Sequence, residues 1–434
     1  MLTAKLDSWF SISKRGSNVR TELFAGLSTF LSLSYIFVVN PAILEAAGMD
    51  KSMVFFATIV GSVLTTLAMG LWANLPFAVA PGLEMNAYVA YVVVGALGFA
   101  WQGAMGAVFW SGVLTVLLSY TPVRVNIIKA IPDTLKAGLA AAVGVFLMLI
   151  ALKVSGMTRY EGIQILGVGS LASKEAMVFY VGLVLVAALR YFKVNGAVLL
   201  SIVGASVVAH LLGIGQVIEP IALSKDMLKG VFALDFSVIL NPKVWSVVII
   251  LFILDFYGSI AKFIGLTRNT SIVDGQGNVP KMKEALIVDG AGTVGGAILG
   301  TSNLITYVES AVGIGEGGRT GLVAVTCAVL MSLFLLITPL INLVPVVATT
   351  GALFYVGLLL MPRPSQLKTY HWGELLSVVV TILVTVWTFG LDKAMFAGFV
   401  TLILALLIQG KWKNINIYLL ISAGLLFLSI LLSL

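Results

Sequence analysis

The chain has 434 residues, 59% of them hydrophobic and only 10% charged, and its mean hydropathy is +1.07. So little polar surface cannot enclose a soluble globule of this length, which leaves an all-α polytopic membrane protein forming one membrane unit. In such a chain the net charge of +7 speaks to topology rather than to nucleic acid, and the single cysteine, Cys327, excludes intrachain disulfides, thiolate metal clusters and haem attachment.

Taken in order, the residues before Thr21 include Asp7, Trp9 and Lys14 without a cleavable pattern, so no signal peptide is expected. Apolar runs able to cross a ~30 Å hydrocarbon core follow near 22–40, 53–73, 84–100, 103–120, 135–152, 177–192 and 195–213. A more polar connection over 216–241 separates these from a second set near 243–266, 284–300, 302–315, 319–338, 343–361, 374–390 and 393–409. An odd number in each half turns the second half over, so about 14 spans arranged as two inverted seven-span repeats are expected. Residues 414–434 form an extra apolar C-terminal segment, long enough either to span or to lie along the surface.

Most of the Lys and Arg fall on one side of this arrangement. Lys5, Lys14, Arg15 and Arg20 precede the first span, and Arg124, Lys129, Lys136, Arg190, Lys193, Arg268, Lys281, Lys283, Arg319, Arg363, Lys368, Lys411 and Lys413 occupy even-numbered connections. The bias predicts a cytoplasmic N-terminus in a multi-pass protein of the cell's inner (plasma) membrane.

The third span of each half is interrupted. Residues 74–91 read NLPFAVAPGLEMNAYVAY, where Pro76 and Pro81 predict an extended run before a helix opens near Gly82. In the tenth span, TSNLITY over 301–307 is a short β-prone run ahead of a glycine-rich segment. Paired interruptions of this kind point to a transporter's binding site, where half-helix N-termini offer N–H groups to a ligand. The same stretch, GTSNLITYVESAVGIGEGGR over 300–319, sets Glu309 at membrane depth, while Glu316 near Arg319 belongs at the edge. A carboxylate near the bilayer centre costs roughly 2.5–3.5 kcal/mol on insertion scales and so faces a cavity, a partner or a ligand. Gly313, Gly315 and Gly318 fit GxGxxG, but without a βαβ context they read as close-packing positions.

The eighth span, LFILDFYGSIAKFIGLTR, carries Asp255 and Lys262 two turns apart on one helix face, near enough to line one cavity. Among the aromatics Phe77, Tyr88, Phe256, Tyr257 and Tyr307, packing is the ordinary use, with stacking on a planar ligand the functional one.

These motifs together resemble the nucleobase-cation symporter-2 family, within it the hypoxanthine-guanine-adenine permease branch. The resemblance rests on NPAIL at 40–44, ANLPFAVAPG at 73–82 followed by Asn86, the acid-bearing eighth span, and GTSNLITYVESAVGIGEGGRTGL at 300–322. It implies a core domain of spans 1–4 and 8–11 (22–120 and 243–338) moving against a gate domain of spans 5–7 and 12–14 (134–213 and 343–410). It also implies a base and a coupling proton held by spans three, eight and ten. Carried over by position, the substrate-binding asparagine falls on Asn86 and the acids on Asp255 and Glu309. The chain departs from the branch at Glu84, where glycine is usual, at Gly258, where a second aspartate is usual, and at Lys262, where a small polar residue is usual.

The function expected is secondary active transport, with proton-coupled uptake of a purine nucleobase such as adenine, guanine or hypoxanthine; the alternatives are another small heterocycle or a small anion. Substrate contacts are expected from Asn86, Asp255, Glu309, Glu84, Phe256 and Tyr307, and proton coupling from Glu309 and Glu84. No enzyme activity, cofactor or metal site is expected. The partners are a nucleobase, a proton and membrane lipid, with a homodimer left open.

Overall fold

The computed structural model describes residues 2–433 apart from 122–131, 162–163, 195, 215–224, 268–269, 274–278, 337–342, 363–366 and 390, with backbone alone at 2, 133, 136, 161, 164, 257, 260, 261, 264, 392 and 433. Arg124, Lys129, Arg268 and Arg363, the Lys136 and Tyr257 side chains, and part of the 216–241 connection therefore lie outside the described residues.

The protein is mostly helical. Helix α1 (Leu2–Phe10) precedes α2 (Val19–Leu33) and α3 (Ile36–Glu45), which together form the first apolar span. That span is not one rod: the chain turns at Ser34 and Tyr35, and Pro41 lies within α3. Helix α4 (Lys51–Ala68) continues as a π-helical turn to Ala73 and ends on Asn74, whose φ of 52° is left-handed. Asn74 Oδ1 accepts from Gly321 N at 2.8 Å and its Nδ2 donates to Phe10 O at 2.9 Å, fastening the end of α4 to two distant segments.

The expected interruptions are present. Strand β1 (Val79–Pro81) leads into α5 (Leu83–Ala87), extended by a π-helical stretch Tyr88–Val94, and α6 (Trp101–Ser119) follows. Next come α7 (Asp133–Val154), a hairpin of β2 (Thr158–Glu161) and β3 (Gln164–Val168) that periodicity did not reveal, α8 (Lys174–Tyr191) and α9 (Ala197–Leu211). The second half contains α10 (Pro242–Thr267), α11 (Met282–Leu299), β4 (Leu304–Thr306), the short α12 (Ser310–Gly315) and α13 (Gly321–Ser332). Helices α14 (Thr350–Leu359), α15 (Trp372–Thr388), α16 (Leu391–Ile408) and α17 (Ile417–Ser433) complete it, the last formed by the extra C-terminal segment.

Four stretches among the described residues are long and apolar enough to cross a membrane: Val19–Glu45, Lys51–Ala73, Trp101–Ser119 and Ala137–Val154. Seven shorter apolar helices accompany them. Helices α2, α3, α4, α6, α10, α11 and α13 pack among themselves, and α7, α8, α9, α14, α15 and α16 form a second set. Helix α17 touches α10 of the first set and α16 of the second.

Strands β1 and β4 pair antiparallel, with Val79 opposite Thr306 and Pro81 opposite Leu304. Gly82 N donates to Asn303 O at 3.0 Å and Tyr307 N to Ala78 O at 2.9 Å, so the backbone freed by both interruptions is satisfied by the other. Asn40 adds a side-chain tie, donating to Thr58 Oγ1 at 2.6 Å and Thr301 Oγ1 at 2.9 Å. Two of the motifs read from sequence thus meet inside the protein.

Candidate functional site

The paired strands place the start of α5 and the approach to α12 side by side, facing a cavity of about 380 Å³ between the two helix sets. This is within the ~300–1,000 Å³ usual for small-molecule sites. Glu84, Tyr307 and Glu309 reach it from the paired interruptions, Tyr35 from the turn between α2 and α3, and Gly258 and Lys262 from α10. The opposite wall is apolar, with Leu139, Val143 and Leu147 of α7 and Met395 of α16.

Three polar features define the chemistry. Tyr35 Oη donates to Glu309 Oε1 at 2.7 Å, while Glu309 Oε2 is buried and has no hydrogen-bond partner among the described residues. Lys262 Nζ lies 3.6 Å from Glu84 Oε1, each side chain 17% exposed. That separation is an ion pair but too long for an ordinary hydrogen bond, so both heads keep bonding capacity for something else. Tyr307 Oη donates to Pro81 O at 2.5 Å, which fixes its ring beside the cavity.

Asn86, Asp255 and Phe256 are not among the lining residues. On α10 the cavity face runs through Leu254, Gly258, Lys262 and Leu266, at helical spacing. Asp255 and Ser259 lie one step round the helix, toward α6 and α11. Asp255 Oδ1 accepts from Ser259 Oγ at 3.1 Å, and Thr115 and Thr293 each donate to its Oδ2 at 3.4 Å. Lys262 shares a face with Asp255 at two-turn spacing, but its long stem carries the ammonium into the cavity. Asn86 Oδ1 accepts from Ser302 Oγ, and its Nδ2 is buried without a partner among the described residues. The Phe256 ring packs on Phe252 with centroids 5.3 Å apart, and Phe77 stacks on Phe263 at 5.3 Å.

Sequence reasoning passed over three residues. Asp289 on α11 is fully buried; it accepts from Thr306 N at 2.9 Å and from Thr306 Oγ1 at 3.2 Å, and it shares the single Ser259 hydroxyl proton with Asp255, which links β4 to the Asp255 network. Glu22 is likewise buried, accepting from Arg319 N at 2.8 Å, Thr320 N at 3.1 Å and Thr320 Oγ1 at 2.7 Å. Both carried the signal already used for Glu309, an acid within an apolar run. Tyr35 carried a fainter one, a phenol in the middle of a span. Glu316 is exposed and accepts from Ser28 Oγ at 2.6 Å. Among the described residues no group of three or more His, Cys, Asp and Glu is arranged to hold a metal.

Comparisons with known proteins give this geometry a context. The chain is 34% identical to adenine permease AdeQ of Escherichia coli (strain K12) over 430 residues, covering 98% of this chain and 96% of that one. It is 33% identical to guanine/hypoxanthine permease GhxP of Escherichia coli O157:H7, covering 95% and 93% respectively. Among solved structures, the transmembrane domain of the cyanobacterial bicarbonate transporter BicA matches with a TM-score of 0.65 at 16% identity, covering 88% of this chain and 97% of that one, which shows a shared membrane-transporter fold. The model of the group described as "Permease family" matches residues 20–386, so the chain belongs to that family, the nucleobase-ascorbate transporters, and is a multi-pass membrane permease rather than an enzyme.

Proposed function

We propose that the protein carries a purine nucleobase into the cell together with a proton, binding both in the cavity that holds Glu84, Lys262, Tyr307 and Glu309. Relatives named as adenine and guanine/hypoxanthine permeases along nearly the whole chain support a purine as substrate. The observation that carries the coupling is Glu309, with one oxygen held by Tyr35 and the other buried and unpartnered beside the cavity. A buried carboxyl oxygen needs either a proton of its own or an N–H to accept, and a base edge supplies N–H groups. Charge balance points the same way. Glu84 and Lys262 offset each other, so an ionised Glu309 would leave one uncompensated charge in a desolvated site holding a neutral base, and a proton on Glu309 removes it. Glu84, the second acid of the cavity, is the other candidate to share that proton.

Asn86 and Asp255 enter this reading as supports of the paired interruptions, one step behind the cavity wall. The two packing sets agree with a core domain (22–120 and 243–338) and a gate domain (134–213 and 343–410), whose relative movement exposes the cavity alternately to each side. Two inverted seven-span repeats, with the N-terminus in the cytoplasm and the protein in the plasma membrane, remain the arrangement that the paired interruptions and the charge pattern favour.

Uptake of labelled adenine, guanine and hypoxanthine by cells lacking their own purine permeases, with and without a protonophore, tests the proposal. Protonophore-sensitive accumulation of at least one base is expected. A ligand that binds only the folded state raises the melting temperature by mass action, so thermal stabilisation of the purified protein by sulfate or bicarbonate and by no base would overturn the proposal in favour of a small anion.

A further inference from the structure

Resting on the purine reading, we infer that Lys262 receives the carbonyl of a 6-oxopurine, so that the site prefers guanine and hypoxanthine to adenine. The relatives include permeases for both kinds of base and do not choose between them. The side chains in the cavity do. An ammonium only donates hydrogen bonds and an ionised carboxylate only accepts them. Lys262 Nζ, 3.6 Å from Glu84 Oε1, therefore offers a donor and an acceptor side by side, and Glu309 Oε2 adds a buried oxygen without a partner.

On its six-membered ring a 6-oxopurine presents a carbonyl acceptor beside a ring N–H, and guanine adds an amino donor beyond it. With guanine, Lys262 opposite the carbonyl and Glu84 and Glu309 opposite the two donors satisfy every group on that edge, and hypoxanthine keeps the carbonyl and the ring N–H. Adenine carries an amino donor where the 6-oxopurines carry the carbonyl, so in the same pose Lys262 meets a second donor and its bond goes unmade. An unmade bond to a charged group in a desolvated site is costly. Space for the ring lies on the same helix face: one turn before Lys262, nothing among the described residues stands within 4 Å of the place a Cβ on Gly258 would occupy. An aspartate there would fill that space, and its absence leaves the carboxylates to Glu84 and Glu309.

Competition of unlabelled bases against labelled hypoxanthine in cells expressing the full chain tests this. Guanine and hypoxanthine should compete at concentrations about tenfold or more below adenine, the scale of one bond to a charged group. Lys262→Met should narrow that ratio by a similar factor at equal surface expression, while Lys262→Arg should keep it. Because Lys262→Met strands Glu84, the neutral double variant Glu84→Gln with Lys262→Met is measured beside it, and melting temperatures of purified variants with guanine or adenine give the same ratio without transport. A wild type that prefers adenine, or an unchanged ratio in both methionine variants, overturns the inference and leaves purine transport standing. Absence of any purine response in the wild type overturns the purine reading itself, and this inference with it.

Discussion

Tyr35 and Glu309, 274 residues apart in the chain, meet at the cavity edge, where the phenol donates to one carboxylate oxygen at 2.7 Å. The contact joins the turn between α2 and α3 to the approach to α12, so it also fixes how these two segments lie against each other. Tyr35→Phe removes the donor and keeps the ring. A hydrogen bond to a charged group is worth about 1.5–3 kcal/mol, so uptake should fall by tenfold or more, with a changed pH profile and normal surface expression. Unchanged uptake across pH would show that Glu309 does not depend on this contact.

Glu309→Gln keeps the shape of the side chain and removes its capacity to carry a proton. Exchange of labelled for unlabelled base across the membrane should survive better than uphill accumulation. The measurement compares counterflow with net uptake in proteoliposomes, and equal loss of both would make Glu309 a ligand contact rather than the proton carrier.

Asp255 lies behind the cavity wall, accepting from Ser259, Thr115 and Thr293. Asp255→Asn should therefore lower the melting temperature and the maximal uptake rate while leaving the half-saturating purine concentration little changed. A large rise in that concentration with unchanged stability would return Asp255 to direct contact with substrate.

Glu84 and Gly258 line the same cavity from different helices. A side chain at Gly258 meets open space, so Glu84→Gly with Gly258→Asp should retain uptake that Glu84→Gly alone loses, the non-additivity of groups serving one site. Equal loss in the single and double variants would mean that the position of the carboxylate, and not its presence, is what matters.

Gly321, at the start of α13, packs directly on the backbone of Gly70, where a Cβ would collide with the Gly70 carbonyl. Gly321→Ala should destabilise by roughly 1–3 kcal/mol, as overpacked positions do. The check is thermal unfolding followed in detergent; an unchanged melting temperature would mean that the two segments separate at little cost.

Much was legible in the sequence for physical reasons. A mean hydropathy of +1.07 leaves only a membrane protein, and Pro76 and Pro81 in one half and the β-prone run over 301–307 in the other announced two breaks. Glu309 was visible because an acid in an apolar run needs a partner or a cavity. What only the tertiary structure decided is direction. Asp255 and Lys262 share a helix face, yet one carboxylate turns to hydroxyls on α6 and α11 while the longer side chain reaches the cavity. Spacing along a helix states which residues lie together, but which neighbour that face meets depends on segments far away in the chain. The pairings of Tyr35 with Glu309, Glu84 with Lys262 and Asp289 with Thr306 all join different spans. They exist because β1 and β4 bring two separate interruptions together, a long-range contact that no local pattern encodes.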